Sequence, residues 1–254
     1  MNISIVIPAF NAEGWLDRVL DSCIAQSVSP FEVVVVNDGS TDGTARSAAG
    51  HAARPVIVNQ ENRGLAGARN AGAARAAGEW LLFLDADDYL LPNAIERFKA
   101  ELALTPSVDV ICPNAVVRWS SGDEVALRST QTLDRRSLST LIRSNFLYAG
   151  ALIRKEIAAR YPYDESLRSC EDLDLWLRLV AQGVQLRVLD EPLYIYSRDH
   201  GTGLTSDIET MRRTRRRVFA KLWREKLSLR ERALAGYQLA RTTVGVMSAR
   251  RRRG

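Results

Sequence analysis

At 254 residues, 46% hydrophobic and 26% charged, the chain can bury a substantial core as one large domain or two small ones. No run approaches the roughly 18 to 20 apolar residues of a membrane span. Three widely spaced cysteines, Cys23, Cys112 and Cys170, argue against a disulfide framework or a zinc pattern and suit a reducing cytosol. The net charge of +5 is uneven: residues 198–254 hold 16 Arg/Lys against 5 Asp/Glu (+11), while the rest holds 19 against 25 (−6). An acidic body with a basic tail points to an anionic surface as one partner.

In chain order, residues 3–7 read as a strand that the N-terminus enters directly. With no basic n-region or cleavage pattern, no signal peptide is expected. Residues 13–26 carry Trp15, Leu16, Val19, Leu20, Cys23 and Ile24 on a helical face. Residues 31–36 are an apolar β-branched run, as in a strand covered on both faces. The turn after it, Asp38 to Thr44, leads into a helix that Ser40, Thr41 or Asp42 can cap. A short strand at 56–59, an Ala-rich helix at 65–77 and a strand at 80–84 follow. Strands alternating with helices predict a parallel sheet flanked by helices. Residues 108–112, 116–119, 186–189 and 193–196 read as four further short strands. Residues 137–144 and 171–182 read as helices, and two basic helices begin at 208.

The strand at 80–84 runs straight into Asp85-Ala86-Asp87-Asp88. Open α/β sheets bind ligands beyond the carboxyl ends of their strands. Clustered carboxylates repel unless a cation neutralises them, and aspartate oxygens suit Mg²⁺ or Mn²⁺, which usually also hold phosphates. The competing reading is a solvated turn capping the helix near Pro92. Asp38 can accept the imide N–H of a uracil or bind ribose hydroxyls, or it can simply start an Asx turn. Phe10 can offer its face to a base or pack in the core. At Glu171-Asp172-Leu173-Asp174, the helix macrodipole stabilises charge, so Asp172 is expected to stay ionised and able to take a hydroxyl proton. The competing reading is helix-end charge complementation alone. His200 lies in a glycine-rich, small-residue loop, functional or merely exposed. His51 reads as structural or exposed.

Ile5-Val6-Ile7-Pro8-Ala9-Phe10-Asn11, Asn37-Asp38-Gly39-Ser40-Thr41-Asp42, Asn62-Arg63-Gly64 through Ala68-Arg69-Asn70, and Asp85-Ala86-Asp87-Asp88 together resemble glycosyltransferase family 2. They stand in that family's order and spacing over residues 3–92, and a weaker resemblance runs to about residue 205. The resemblance implies an α/β GT-A fold: a Rossmann-like, mostly parallel sheet flanked by helices, here with a basic helical C-terminal extension. It implies a glycosyltransferase domain over 1–205, with a nucleotide-binding half at 1–110 and an acceptor half at 111–205, followed by the extension at 206–254.

It also implies roles. Pro8, Ala9, Phe10, Asn11 and Asp38 would hold base and ribose, with Glu13 supporting that pocket. Arg69 would approach the base or pyrophosphate. Asp85, with Ala86, would contact the nucleotide at its ribose. Asp87 would ligate Mn²⁺ or Mg²⁺, with His200 reaching the metal or diphosphate. Asp172 would be the catalytic base, with Glu171 and Asp174 in support. Asn37 departs from the pattern, standing where many relatives carry an acid.

The expected reaction is inverting, non-processive transfer from a nucleotide diphosphate sugar, UDP-linked by preference, to a hydroxyl of a glycan or lipid-linked acceptor. The alternatives are a sugar-phosphate nucleotidyltransferase and a catalytically silent nucleotide-sugar-binding domain docked on membrane. The first turn, 8–14, has one glycine and no lysine, unlike the triphosphate loop of the former. The tail face Met211, Val218, Phe219, Leu222 and Trp223, flanked by arginines, reads either as a helix on an anionic membrane or as one packed on the domain. No nucleic-acid module is visible. The expected location is cytoplasmic, with peripheral contact at the cytoplasmic membrane face under the first of those readings.

Overall fold

The apolar runs of the first half become strands buried on both faces. Ile3–Ala9 (β1), Glu32–Asp38 (β2), Val56–Gln60 (β3) and Trp80–Phe83 (β4) pair in parallel, ordered β3-β2-β1-β4. The chain steps outward from β1 to β3, then returns to the far side of β1 with β4. This reversal leaves a crevice above β1 and β4 at their carboxyl ends, where open sheets take ligands. The computed structural model describes residues 1–119, 124–127, 138–143, 145, 147, 150–198, 208–225 and 227–251.

One sheet face buries Ile3, Ile5, Ile7, Val33, Val35 and Leu82 under helices Leu16–Ile24 (α1) and Ala94–Leu104 (α4). The other buries Val6, Val34, Val36, Leu81 and Phe83 under Gly64–Arg75 (α3) and Glu171–Ala181 (α7). Two-sided burial explains why these strands lack polar alternation. Thr44–Gly50 (α2) follows β2; its N-cap is Gly43 rather than Ser40, Thr41 or Asp42, and Asp42, one residue earlier, accepts the Thr44 N–H at 3.0 Å. Helix α3 rides close on the sheet: a Cβ at Gly72 would lie 2.3 Å from Val6. Its small residues are what let Arg69 reach the strand ends.

Beyond β4, the sheet continues with Leu152–Arg154 (β8), Val110–Trp119 (β6), Leu186–Arg198 (β9) and Tyr89–Leu90 (β5), while Glu124–Leu127 (β7) pairs with β6. β8 runs antiparallel to both β4 and β6, so β6 is parallel to β4, and β9 is parallel to β6. The segments expected as four short strands are therefore two long ones. A register shift around Asn114 absorbs the irregularity that made each look broken, and Pro192 stays within β9 beside it. Leu138–Arg143 (α5) and Lys155–Arg160 (α6) complete the second face of the core.

The basic helices Ile208–Leu222 (α8) and Leu229–Arg251 (α9) pack on α7 and α5. Val218, Phe219 and Leu222 are buried in the same core as Phe83, so the apolar face considered for lipid is used in packing. Trp223 packs on α9, where a Cβ at Gly236 would lie 2.8 Å from its ring. No helix among the described residues is long and apolar enough to cross a membrane. Cys23 and Cys112 are buried, and burial pushes both thiols up to about 12.

Candidate active site

The strand ends bring three of the sequence motifs together. At the end of β1, Pro8 and Ala9 are buried, while Phe10 is 52% exposed with an open ring face. Asn11 takes a left-handed φ of 50° and ties this turn to the next: its Oδ1 accepts the Thr41 N–H at 2.9 Å, and its N–H donates to Ser40 Oγ at 3.0 Å. Glu13 Oε2 accepts the Gly43 N–H at 3.0 Å and so ties this turn to the start of α2.

Asp38 is 2% exposed at the end of β2. Its Oδ1 accepts from Gln60 Nε2 at 2.6 Å and the Arg63 N–H at 2.8 Å; its Oδ2 accepts the Gly64 N–H at 2.8 Å. These bonds hold the turn that starts α3. The Asx-type structural alternative is realised here, with the donors coming from the next helix rather than from its own turn. Asn37 donates to Asn59 Oδ1 at 2.9 Å and accepts the Ser40 N–H, a purely structural use of the position that departs from the family pattern.

After β4, Asp85, Ala86 and Asp87 are half-buried and Asp88 is fully buried. Burial, and next the charges of Asp85 and Asp87, push the Asp88 carboxyl well above the usual range. Asp88 Oδ1 accepts the Ser197 N–H at 2.9 Å and so fastens this loop to β9.

Arg69 joins the strand-end cluster to the helix-start motif. It is 4% exposed; Nη2 lies 2.7 Å from Asp85 and Nη1 lies 2.8 Å from Glu171, with the guanidinium 5.2 Å from the Tyr163 ring centre. The guanidinium thus forms a clamp between two carboxylates at the strand ends. The neighbouring Asn70 clamps in turn, exchanging hydrogen bonds with the Tyr163 main chain at 2.9 Å each. Glu165, which pairs with Arg63 at 2.8 Å, completes that brace. Tyr163 and Glu165 sit in an irregular segment and carry no motif signal.

Asp172 stands beside the clamp at the first turn of α7, accepting from Asn145 Nδ2 at 3.2 Å and from the Leu173 N–H at 2.7 Å. The carboxylate stays ionised at neutral pH, as expected, but on a narrower margin than the macrodipole alone implies. Burial, with Glu171 next to it, pushes its pKa up to about 6. Desolvation and a like charge outweigh the helix end. Asp174, expected in support, is 2% exposed and bonded to Arg178 at 2.8 Å and Lys221 at 2.6 Å, so it ties α7 to α8 instead. His200 lies outside the described residues. His51 is structural, its Nδ1 accepting the Ala53 N–H at 3.1 Å.

Among the described residues, no three His, Cys, Asp or Glu side chains converge as a closed metal cluster. The Asp85–Asp88 turn does offer a crowded set of oxygen donors, and burial first, then the charges of Asp85 and Asp87, push the Asp88 carboxyl well above the usual range. Such a set fits Mg²⁺ or Mn²⁺, which bind through one or two carboxylates plus substrate phosphates.

A family profile described as Glycosyl transferase family 2 matches residues 4–161. The chain is 28% identical over 217 residues to the uncharacterized glycosyltransferase EpsJ of Bacillus subtilis (strain 168), covering 80% of this chain and 62% of that protein. It thus spans less than two thirds of that relative's length. Among solved structures, S. aureus TarS 1-349 in complex with UDP-GlcNAc superposes with a TM-score of 0.74 at 22% identity, covering 96% of this chain and 72% of that one. The mannosyltransferase PcManGT from Pyrobaculum calidifontis, in complex with GDP-Man and Mn²⁺, gives 0.67 at 20% identity, covering 100% and 76%. Both likenesses are of the GT-A fold.

Proposed function

This chain belongs to glycosyltransferase family 2, and from that premise we propose that it moves one sugar from a nucleotide diphosphate donor to an acceptor hydroxyl with inversion. The observation that carries the reading is the Arg69 clamp. It sets the β4-end carboxylates, where a donor diphosphate would lie, beside a helix start whose Asp172 has a pKa of about 6. A carboxylate with that pKa is ionised at neutral pH and basic enough to accept a hydroxyl proton.

In this mechanism, Phe10 and the Pro8–Asn11 turn receive the base, and Asp85 with Ala86 faces the ribose. Asp172 removes the acceptor proton as that oxygen bonds to the anomeric carbon. The bond from that carbon to the diphosphate oxygen breaks, and its electron pair leaves on the diphosphate. Attack from the opposite face converts an α-linked donor into a β-glycoside. Asp87, with His200 from the following loop, would hold a divalent ion against the diphosphate, where it would stabilise the charge of the leaving group. TarS and PcManGT are described with UDP-GlcNAc and with GDP-Man and Mn²⁺, which supports a nucleotide sugar and a divalent ion here.

The domain reading follows: donor functions in 1–110, acceptor functions in 111–205, and a basic helical extension over 206–254. Because the apolar face of α8 is buried, contact with an anionic membrane would rest on the exposed Arg212, Arg213, Arg216 and Arg217. Flotation with anionic vesicles should then recover the chain at low salt and release it at high salt. Equal recovery with neutral vesicles would remove that reading.

The transferase proposal is tested by screening nucleotide sugars in thermal shift with Mn²⁺ or Mg²⁺, then assaying donor turnover. A cognate donor at about 100 times its Kd should stabilise by roughly 2.7 kcal/mol. Turnover of a nucleoside triphosphate with a sugar phosphate would make the protein a nucleotidyltransferase instead, and donor binding without turnover would make it a silent binder.

A further inference from the structure

β6 and β9 outrun the rest of the sheet. Through β8, Val110 stands level with Leu81 and Ile111 with Leu82, so Cys112 is level with Phe83, the last residue of β4. β6 then continues from 113 to 119, seven residues or roughly 20 Å beyond the strand end that carries Asp85 to Asp88. β9 keeps pace with it, pairing Trp119 with Arg198, and β5 returns along the other side of β9. Because β6 and β9 run parallel to β1, β2 and β4, this overhang rises on the same side as the donor crevice and forms one wall of it.

The wall is lined with arginine and aromatic side chains. Arg18, reaching from α1, stacks 4.4 Å from the Tyr89 ring centre and Arg118 lies 5.4 Å from it. Arg198 lies 5.8 Å from the Trp119 ring and 5.6 Å from the Tyr196 ring. Trp119, at the tip, is 40% exposed, with its indole open to solvent. The bonds of Arg18 go to neutral oxygens, the Asp87 main-chain carbonyl at 3.4 Å and Ser197 Oγ at 3.1 Å. Arg198 hydrogen-bonds the Tyr196 hydroxyl. Arg118 stands opposite Glu124 in the β6–β7 register.

We infer that this wall is the acceptor subsite and that it selects a saccharide carrying an anionic group. An exposed indole gives the apolar face of a pyranose something to stack on. Guanidinium groups fixed by aromatic stacking present forks that match a carboxylate or phosphate. Arg18 touches the Asp87 loop itself, so an anion bound there would hold its sugar next to the donor. The inference rests on the transferase reading for the word acceptor, but the binding it predicts does not depend on turnover.

The test measures binding to the full chain by calorimetry at fixed ionic strength. The probes are a glucuronate-containing tetrasaccharide, a hexose 1-phosphate, a neutral glucan tetrasaccharide and UDP. At least one anionic probe should bind 10-fold or more tighter than the neutral one. Arg198→Gln and Arg18→Gln should each remove most of that preference, Trp119→Ser should weaken all the saccharides, and UDP affinity should stay the same in all three. A uronate preference identifies a carboxylate-bearing acceptor, and a sugar-phosphate preference identifies a phosphorylated one. Equal binding of neutral and anionic probes, or no saccharide binding, overturns the inference. Parallel loss of UDP binding in the arginine variants overturns it too, assigning the wall to the donor diphosphate. If no nucleotide binds but the anionic preference persists, the transferase reading fails and the subsite stands.

Discussion

Two strand ends in this protein carry carboxylates, and they are handled in opposite ways. At the end of β2, Asp38 is met by three N–H donors, two of them from the main chain that opens α3. At the end of β4, three carboxylates crowd one turn, and one guanidinium, that of Arg69, bonds to Asp85. Burial first, then the charges of Asp85 and Asp87, push the Asp88 carboxyl well above the usual range. A carboxylate whose oxygens are met by fixed donors closes a turn. Crowded carboxylates at a half-buried turn suit a ligand that brings positive charge.

The contrast is broken most visibly by removing charge at the β4 end. Asp87→Asn should abolish Mn²⁺-dependent donor binding and bring transfer to background in a product-formation assay. A variant with ordinary metal-dependent turnover would take Asp87 out of the site. Next in size is Asp172→Asn, which keeps the shape but removes the base. Transfer should fall about 10² to 10⁴-fold with donor affinity nearly unchanged by calorimetry.

The pH behaviour of the parent sharpens this second expectation. With its pKa raised to about 6, Asp172 is protonated and inactive below that pH, so the rate should rise through about 6 and level off above it. The same shift has a stability sign. The folded state holds the proton more tightly than the unfolded one, so this group's contribution declines as pH climbs from the ordinary Asp range to about 6. Asp172→Asn should erase that decline. A parental rate in the variant, or a profile flat across pH 6, would move the base to Glu171.

How much of this could be read from the sequence differs between the same regions. The first half was legible because its strands are continuous apolar runs and its motifs sit directly at their ends. Asp85 to Asp88 follow β4, and Asp38 closes β2. The second half was not legible in the same way. Asn114 and Pro192 interrupt the apolar pattern of β6 and β9, and what keeps each strand whole is pairing with the other, a contact between residues some 75 positions apart in sequence. Two-residue β5 and three-residue β8 are too short for a period to register. Site roles divided similarly. The types of Arg69 and Asp172 were readable, but the Arg69 clamp and the burial that raises Asp172 come from the fold, which sets Arg69 against Glu171 and encloses Asp172 at the start of α7. His200 lies outside the described residues.

A stability measurement probes the link between the halves. Arg69→Met leaves Asp85 and Glu171 facing each other without their shared cation. Breaking a buried pair in this way typically costs 3 to 5 kcal/mol. The loss should appear in denaturant unfolding at neutral pH. A variant as stable as the parent at neutral pH would mean that the clamp is dispensable and that Arg69 is free to serve the ligand.

The smallest effect is expected at Asp38, where it decides whether the contrast between the two strand ends holds. Asp38→Asn replaces one acceptor oxygen with an NH₂ group that must face an N–H donor, Gly64 on one side or Gln60 and Arg63 on the other. One buried donor is then left unsatisfied, at a cost of about 1 to 3 kcal/mol. If Asp38 is scaffold, the variant should unfold earlier in denaturant yet bind UDP with nearly parental affinity at temperatures where it is folded. If Asp38 also reaches the base or ribose, as the family resemblance implies, affinity should drop about 10-fold or more even under conditions where the fold is intact. Calorimetry with UDP on the folded variant, alongside its unfolding curve, separates the two. A drop in affinity with little change in stability would mean that the β2 end, like the β4 end, holds its carboxylate for the ligand.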